Sequence, residues 1–379
     1  MNIPKLRFKE FNDEWTCIEL SKITSDISYG MGLASKDYDG KNKYIRITDI
    51  DEETNRYSNK DIVSPDGKLE DKYLVNKNDI LFARTGASTG KTYLYNESDG
   101  KLYFAGFLIR ANIINHDANF IFQQTKSNKY NKWVRIMSMR SGQPGINSKE
   151  YGSYKFSVTS LEEEIKISKV MQLLDKKIEL QTKKIEALKL FKKGLIARFK
   201  SDQSKWKEYK ISNIFKITRG IVIPKNNLSD KYKNNYIYPV YSSQTSNNGI
   251  FGYDKTYDFD GKYLTWTTDG ANAGKVFFRN GKFRCTNVCG VLYNDNSLYV
   301  NELTAELLNL ETPKHVSYVG NPKLMNNIMS NIKISLPNKN ESENMSSILK
   351  KINTKVALEV SKLDKLQDLK KGLMQNMFV

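Results

Sequence analysis

The chain has 379 residues, 39% of them hydrophobic, with 22 tyrosines, 17 phenylalanines and a net charge of +18. That composition excludes wholesale disorder and leaves room for two or more domains with cores of their own. Three cysteines and two histidines are too few and too scattered for a disulfide framework, and no apolar run approaches the ~20 residues of a membrane span.

The first stretch, MNIPKLRFKEFNDEW, lacks the apolar core of a signal peptide, so the expectation is a cytoplasmic protein. Trp15 opens a W-x4-L-S-x-I pattern and reads as a core anchor. Short β-rich runs follow at Tyr44–Ile47, Ile80–Phe82, Tyr103–Phe104 and Phe107–Ile109, separated by Gly, Asn and Asp turns. They predict an α+β domain with a twisted, largely antiparallel sheet over residues 1–160. Pro65-Asp66 with Glu70-Asp71-Lys72 superficially matches the carboxylates and lysine of a metal-dependent nuclease. Asp66 and Glu70 would share one polar turn, so a solvated loop is expected.

The run from Arg84 to Thr92, R-T-G-A-S-T-G-K-T, resembles a phosphate-binding loop but has one residue too few between its glycines. A strand-like Tyr-Leu-Tyr follows where that fold needs a helix, which excludes an NTPase. Two readings remain: a strand–turn–strand holding Lys91 near a phosphodiester backbone, or a purely structural turn. A helix is expected around 117–140, followed by the loop Arg140–Asn147. Its backbone amides, Gln143 and Arg140 suit phosphate or groove-edge contact, while the alternative is a loop that only orients the next strand.

Residues 161–200 carry the clearest periodicity. Met171, Leu174, Ile178, Gln181, Ile185, Leu188, Lys192, Leu195 and Phe199 step by three and four, the seam of a coiled coil. Flanking Val170, Leu173, Ala187 and Phe191 widen the stripe, as a helix needs when something beyond its seam partner also covers it.

From 201 to 338 the first pattern returns: Trp206, β-rich runs at Tyr236–Tyr238, Tyr263–Trp266, Val276–Phe278 and Val288–Tyr293, and a helix near 301–312. Thr268 to Lys275, T-D-G-A-N-A-G-K, is followed by Val276, which removes the hydroxyl that would bind magnesium. Cys285 and Cys289 form C-x3-C without a second pair, a poor zinc site. In the loop Val319–Met325, Asn321-Pro322-Lys323-Leu324 lacks the second proline and aromatic of an adenine methyltransferase loop. With no G-x-G-x-x-G after a strand and no recognisable triad, the chain reads as non-catalytic. Residues 339–379 then repeat the seam as Leu349, Ile352, Val356, Glu359, Leu363, Leu366, Lys370, Leu373 and Met377.

The two halves are therefore a duplication. Gly142 to Gly194 is 52 positions, as is Gly320 to Gly372, whereas Trp15 to Gly86 is 71 and Trp206 to Gly270 is 64. Both seams are interrupted at the same two steps, Gln181/Glu359 and Lys192/Lys370, which favours one register over its neighbours. The fold expected is α+β: two variable domains (1–160 and 201–338) in pseudo-two-fold tandem repeat, with two long helices (161–200 and 339–379) forming an antiparallel coiled coil. Each helix would be about 58 Å long at ~1.5 Å per residue.

The positive charge is spread over all four segments, which suits a folded polyanion-binding surface, the alternative being a lysine-rich but merely soluble exterior. Arg46, Arg84, Lys91, Arg219, Lys275 and Arg279 are candidate polyanion contacts for their charge near turns and strand ends. Thr85, Ser88, Arg140, Gln143 and Lys323 join them from the two loop types.

The motifs W-x4-L-S-x-I at 15–23, N-D-I-L-F-A-R-T-G-A-S-T-G-K at 78–91, S-G-Q-P-G-I-N at 141–147 and L-E-E-E-I-K-I-S-K-V-M-Q-L-L-D-K-K-I at 161–178 resemble the specificity subunit of Type I restriction–modification enzymes. The resemblance spans the chain and weakens in the second variable domain, where R-T-G has become T-D-G. It implies that each variable domain is a target-recognition domain for one half of a bipartite, asymmetric site on double-stranded DNA. It also implies that the helical pair, through Met171, Leu174, Ile178, Ile185, Leu188, Leu195, Leu349, Ile352, Val356, Leu363, Leu366 and Leu373, sets the spacer and docks two modification subunits. Those methyltransferase partners would carry S-adenosylmethionine and methylate adenine N6. Restriction/translocase subunits would bring ATP and magnesium, leaving this bacterial cytoplasmic chain without cofactor or metal. Two other classes compete: a coiled-coil adaptor with only non-specific DNA affinity, and a free-standing nuclease or methyltransferase, which the missing motifs disfavour.

Overall fold

The computed structural model describes residues 3–140, 142–201 and 205–379; Ser141, in the Arg140–Asn147 loop, and Met1 and Asn2 of the leading stretch fall outside them. The chain forms two units, residues 1–181 with 363–379, and residues 182–362. The division runs through both long helices, Leu161–Ser201 and Lys339–Met377, so each unit takes one end of each.

In the first unit a four-stranded antiparallel sheet runs Thr24–Tyr29, Leu108–Ile113, Asp79–Ala83, Thr92–Leu94. All five residues of Asp79–Ala83 are buried, as an apolar central strand requires. Lys43–Ile45 pairs in parallel with Leu102–Phe104, and Ala34–Asp37 pairs with Val63–Asp66. Asp66, Glu70 and Asp71 are exposed, the solvated loop expected. The single helix expected over 117–140 is two, Ala118–Gln124 and Asn128–Met137. The break has a local cause: Thr125 Oγ1 turns back to Phe122 O, and Ser127 Oγ then accepts from Tyr130 N as a fresh N-cap. Trp15 is the expected anchor, packed edge-on against Phe120 and Phe378.

The second unit has a six-stranded sheet in the order Lys216–Arg219, Cys289–Tyr293, Phe259–Thr267, Val276–Cys285, Tyr238–Tyr241, Ile250–Asp254. In both units a two-stranded antiparallel ribbon leads into the long helix: Thr16–Glu19 with Lys155–Val158, and Lys207–Lys210 with Lys333–Leu336.

The long helices run antiparallel within each unit. In the first, Asp175 Oδ1 meets Lys370 Nζ at 2.5 Å, and Ile167 and Met171 share a core with Leu373, Met374 and Met377. In the second, Lys184 Nζ lies 3.1 Å from Glu359 Oε1, Lys192 Nζ 3.1 Å from Asn353 Oδ1, and Ile196 shares a core with Leu349. Lys192, Glu359 and Lys370, polar positions of the two seams, are thus partnered. Lys192 and Lys370 are repeat-mates, and so are their partners Asn353 and Asp175, so the same register device occurs once per unit. Glu359 is buried with Lys184, Lys355 and Lys362 around its carboxylate, the compensation a buried charge requires.

Beside the first-unit seam, desolvation pushes the Lys126 ammonium down to about 7, reinforced by the charges of Lys370 and Arg56 and only partly offset by Asp175. The unfolded chain holds that proton up to about 10.4. The penalty on folding is therefore full below pH 7 and fades as pH rises toward the unfolded value. Lys126→Met is expected to raise the melting temperature at neutral pH and to raise it less near pH ~9.5. A gain that stays constant across that range in a thermal melt would contradict the burial argument.

Candidate nucleic-acid interface

Both units build the same assembly at one end of their main sheet. In the first, Asp79–Ala83 runs into the Arg84–Lys91 turn and returns as Thr92–Leu94, with Phe82 opposite Thr92. In the second, Phe259–Thr267 turns through Thr268–Lys275 into Val276–Cys285, with Trp266 opposite Val276. Each run is therefore a turn between two paired strands. Its glycines are demanded by geometry: Gly86 and Gly90 have φ of +73° and +91°, and a Cβ on Gly90 would lie 2.4 Å from Val134.

A second loop is strapped across each hairpin. Gly86 N donates to Pro144 O at 3.0 Å and Ile146 N to Arg84 O at 2.9 Å. Gly270 N donates to Pro322 O at 2.9 Å and Leu324 N to Thr268 O at 2.8 Å. The loops Arg140–Asn147 and Val319–Met325, matched by sequence alone, are equivalent in backbone pairing. Gln143 is exposed, with Nε2 3.1 Å from where a Cβ on Gly86 would sit.

The third element is a tight turn from a neighbouring strand. Leu108 N donates to Ala105 O at 2.8 Å, and Cys289 N to Thr286 O at 3.0 Å. A guanidinium clamps each: Arg84 Nε donates to Gly106 O at 3.0 Å, and Arg219 Nε to Asn287 O at 3.0 Å. Arg84 also stacks on Tyr29, 4.9 Å from the ring centre. The loss of R-T-G in the second half is thus compensated from another strand: Thr268 stands where Arg84 does, and Arg219 supplies the guanidinium. Sequence placed Phe107 within a strand, but the strand begins at Leu108 and Phe107 sits in the turn, 57% exposed.

The remaining sequence candidates divide by engagement. Thr85 and Ser88 are half-buried in the hairpin turn, and Thr85 bridges to Gly145. Arg140 is exposed and pairs with Glu150 at 2.5 Å. Lys323 is 52% exposed, with Asp269 4.0 Å away. Arg46 is held by two 2.8 Å bonds to Asp49, which raise its pKa against desolvation. Lys91 is 13% exposed, with Nζ bound to Ile50 O at 3.1 Å and Glu52 Oε1 at 3.3 Å. Lys275 is exposed along its side chain, but burial lowers its pKa, partly offset by Glu306 and reinforced by Lys192. Arg279, chosen for its charge, is only 3% exposed: its guanidinium lies 3.6 Å from the Tyr241 ring centre and 4.4 Å from that of Phe277. Burial lowers its pKa, so it supports the sheet from inside and presents no surface to a ligand.

Cys285 and Cys289 are buried with their sulfurs 3.5 Å apart, and among the described residues no group of three His, Cys, Asp or Glu side chains could hold a metal. No helix among the described residues is long and apolar enough to cross a membrane.

The family profile described as Type I restriction modification DNA specificity domain matches the chain twice, over residues 28–190 and 203–368. The chain belongs to this family. One match falls in each of the two tandem halves, and the family is described by DNA specificity. A putative type I specificity subunit N-terminus from Mycoplasma pneumoniae is 44% identical over 144 residues, covering 38% of this chain and 75% of the relative. A putative type I specificity subunit from the same organism is 42% identical over 146 residues, a match spanning only 39% of that relative's length. The crystal structure of a Type-I restriction-modification system S subunit from M. genitalium is similar in fold, with a TM-score of 0.73 at 16% identity, covering 100% of this chain and 99% of that one.

Proposed function

We propose that this specificity subunit reads a bipartite, asymmetric site on double-stranded DNA, one half-site per unit. The observation that carries the reading is the assembly of hairpin, strapped loop and clamped turn, repeated in backbone but not in side chains. A common scaffold with divergent exposed residues suits two different DNA words. Arg140, Gln143, Lys275 and Lys323 are the contacts we assign, with Thr85 and Ser88 at the hairpin turn. Arg46, Arg84, Lys91, Arg219 and Arg279 serve the scaffold.

The long helices set the spacer and dock two modification subunits. Exposed apolar residues support this: Leu180 and Leu358 are repeat-mates, as are Phe191 and Leu369, and all four are more than half exposed. Each repeat pair places one exposed apolar residue in each unit, which fits two copies of one partner. Those partners would carry S-adenosylmethionine and methylate adenine N6, and restriction/translocase subunits would bring ATP and magnesium. The site of action would be the bacterial cytoplasm.

With its modification partner, the chain should retain one sequence specifically at moderate salt; uniform, steeply salt-dependent binding would mark the adaptor instead. Lys323→Ala should weaken binding across all sequences and lower the salt slope by about one. Lys91→Ala should leave the slope unchanged, because Glu52 already neutralises that ammonium. Equal slope changes for both variants in salt titrations would contradict the assignment.

A further inference from the structure

The clamped turn has a feature that folding does not explain. Each turn is held rigid from two sides, by a guanidinium on its second carbonyl and by a glycine backbone packed behind it. Two divergent sequences keep that clamp with arginines from different strands. What the clamp presents also differs: Gly106 and Phe107 at the centre of one turn, Asn287 and Val288 at the centre of the other. Phe107 leaves 57% of its surface in water, although a phenylalanine ring gains most from burial. Asn287 is exposed, and its backbone carbonyl is already used by Arg219, so its side chain is presented on a fixed backbone.

Resting on the DNA-reading function proposed above, we infer that the two central residues of this turn are specificity determinants in each unit. Phe107 makes apolar contact with a thymine C5-methyl group in one half-site. Asn287 pairs with the N6 and N7 edge of an adenine in the other. These side chains fit those base edges chemically: an aromatic face excludes water from a methyl, and a carboxamide offers one acceptor and one donor at the spacing adenine presents. A turn clamped at its carbonyl places either group with the accuracy that base discrimination demands.

The test uses the full chain with its modification partner, the methylated motif being mapped first for the wild type. Phe107→Ala should relax one position in one half-site and weaken binding to the wild-type site about tenfold, leaving the salt slope unchanged. Phe107→Leu, which keeps an apolar face, should retain the preference. Asn287→Ala should relax one position in the other half-site only. Both side chains being exposed, the variants should melt like the wild type. An unaltered motif and affinity in Phe107→Ala and Asn287→Ala would overturn the inference while leaving the half-site reading intact. A wild-type chain that directs no bipartite motif would overturn both.

Discussion

Gly220→Ala is expected to destabilise the second unit by about 3 kcal/mol or more, and Gly30→Ala to do the same to the first. Neither glycine is needed for its backbone angles; each is needed for space. A Cβ on Gly220 would lie 2.1 Å from Cys285 O and 2.4 Å from Thr286 O. On Gly30 it would lie 2.3 Å from Ala105 O and 2.5 Å from Phe104 O. These neighbours are backbone, so they cannot swing aside as a side-chain end would. They are also held in place, because Gly220 N donates to Cys289 O and Ile221 N to Cys285 O, while Gly30 N donates to Leu108 O and Met31 N to Phe104 O. A methyl group must push apart the strand and the clamped turn together. Because the chain has two units, hydrogen exchange read by segment is the suitable measurement. Each variant should lose protection in its own unit only, and wild-type protection around residues 285–290 in Gly220→Ala would refute the packing argument.

Arg7→Ala should cost the first unit about 3–5 kcal/mol, the price of leaving a buried carboxylate without its counter-charge. Glu163 opens the first long helix and is fully buried. Its oxygens accept from Arg7 Nε and Nη2, both at 2.8 Å, from Thr159 Oγ1 at 2.6 Å and from Trp15 Nε1 at 3.3 Å. Desolvation pushes the Glu163 carboxyl up, but the bonds from Arg7 and Thr159 outweigh it and the net shift is downward. Stability from a depressed carboxyl is complete above its unfolded value, ~4.3, and is lost as pH falls through the lower folded value. In Arg7→Ala the desolvation of Glu163 loses its main opponent, so the damage should be greatest near neutral pH and shrink in acid. Adding Glu163→Gln removes the uncompensated charge and should recover much of the loss. Denaturant midpoints at pH ~7 and ~4.5 measure both effects; an Arg7→Ala midpoint equal to wild type at neutral pH would sink the account.

The duplication and the paired long helices were legible in the sequence because each rests on spacing. Matched polar breaks at Lys192 and Lys370 favour one register, while the antiparallel direction was expected from the pseudo-two-fold repeat. The strand–turn–strand at 84–92 was legible because two glycines and a following Tyr-Leu-Tyr left no place for a helix. What was hidden depends on contacts between distant segments. Lys91 looked like a phosphate lysine until Ile50 and Glu52 closed over it. Arg279 occupies a strand position whose inward face cannot be read without the neighbouring Tyr241 and Phe277. The exchange of Arg84 for Arg219 is invisible in an alignment of the halves, since the guanidinium arrives from a different strand. Phe107 joined an apolar run by composition, and only the turn hydrogen bond between Leu108 and Ala105 shows that the ring stands outside the sheet.

This chain is proposed to carry two different reading units, one in each half of its repeat. Mapping N6-methyladenine in DNA exposed to this chain and its modification subunit tests it most directly. The expected motif is two short, unlike half-sites separated by a fixed unspecified spacer, with one methylated adenine in each. A palindromic or contiguous motif would contradict it.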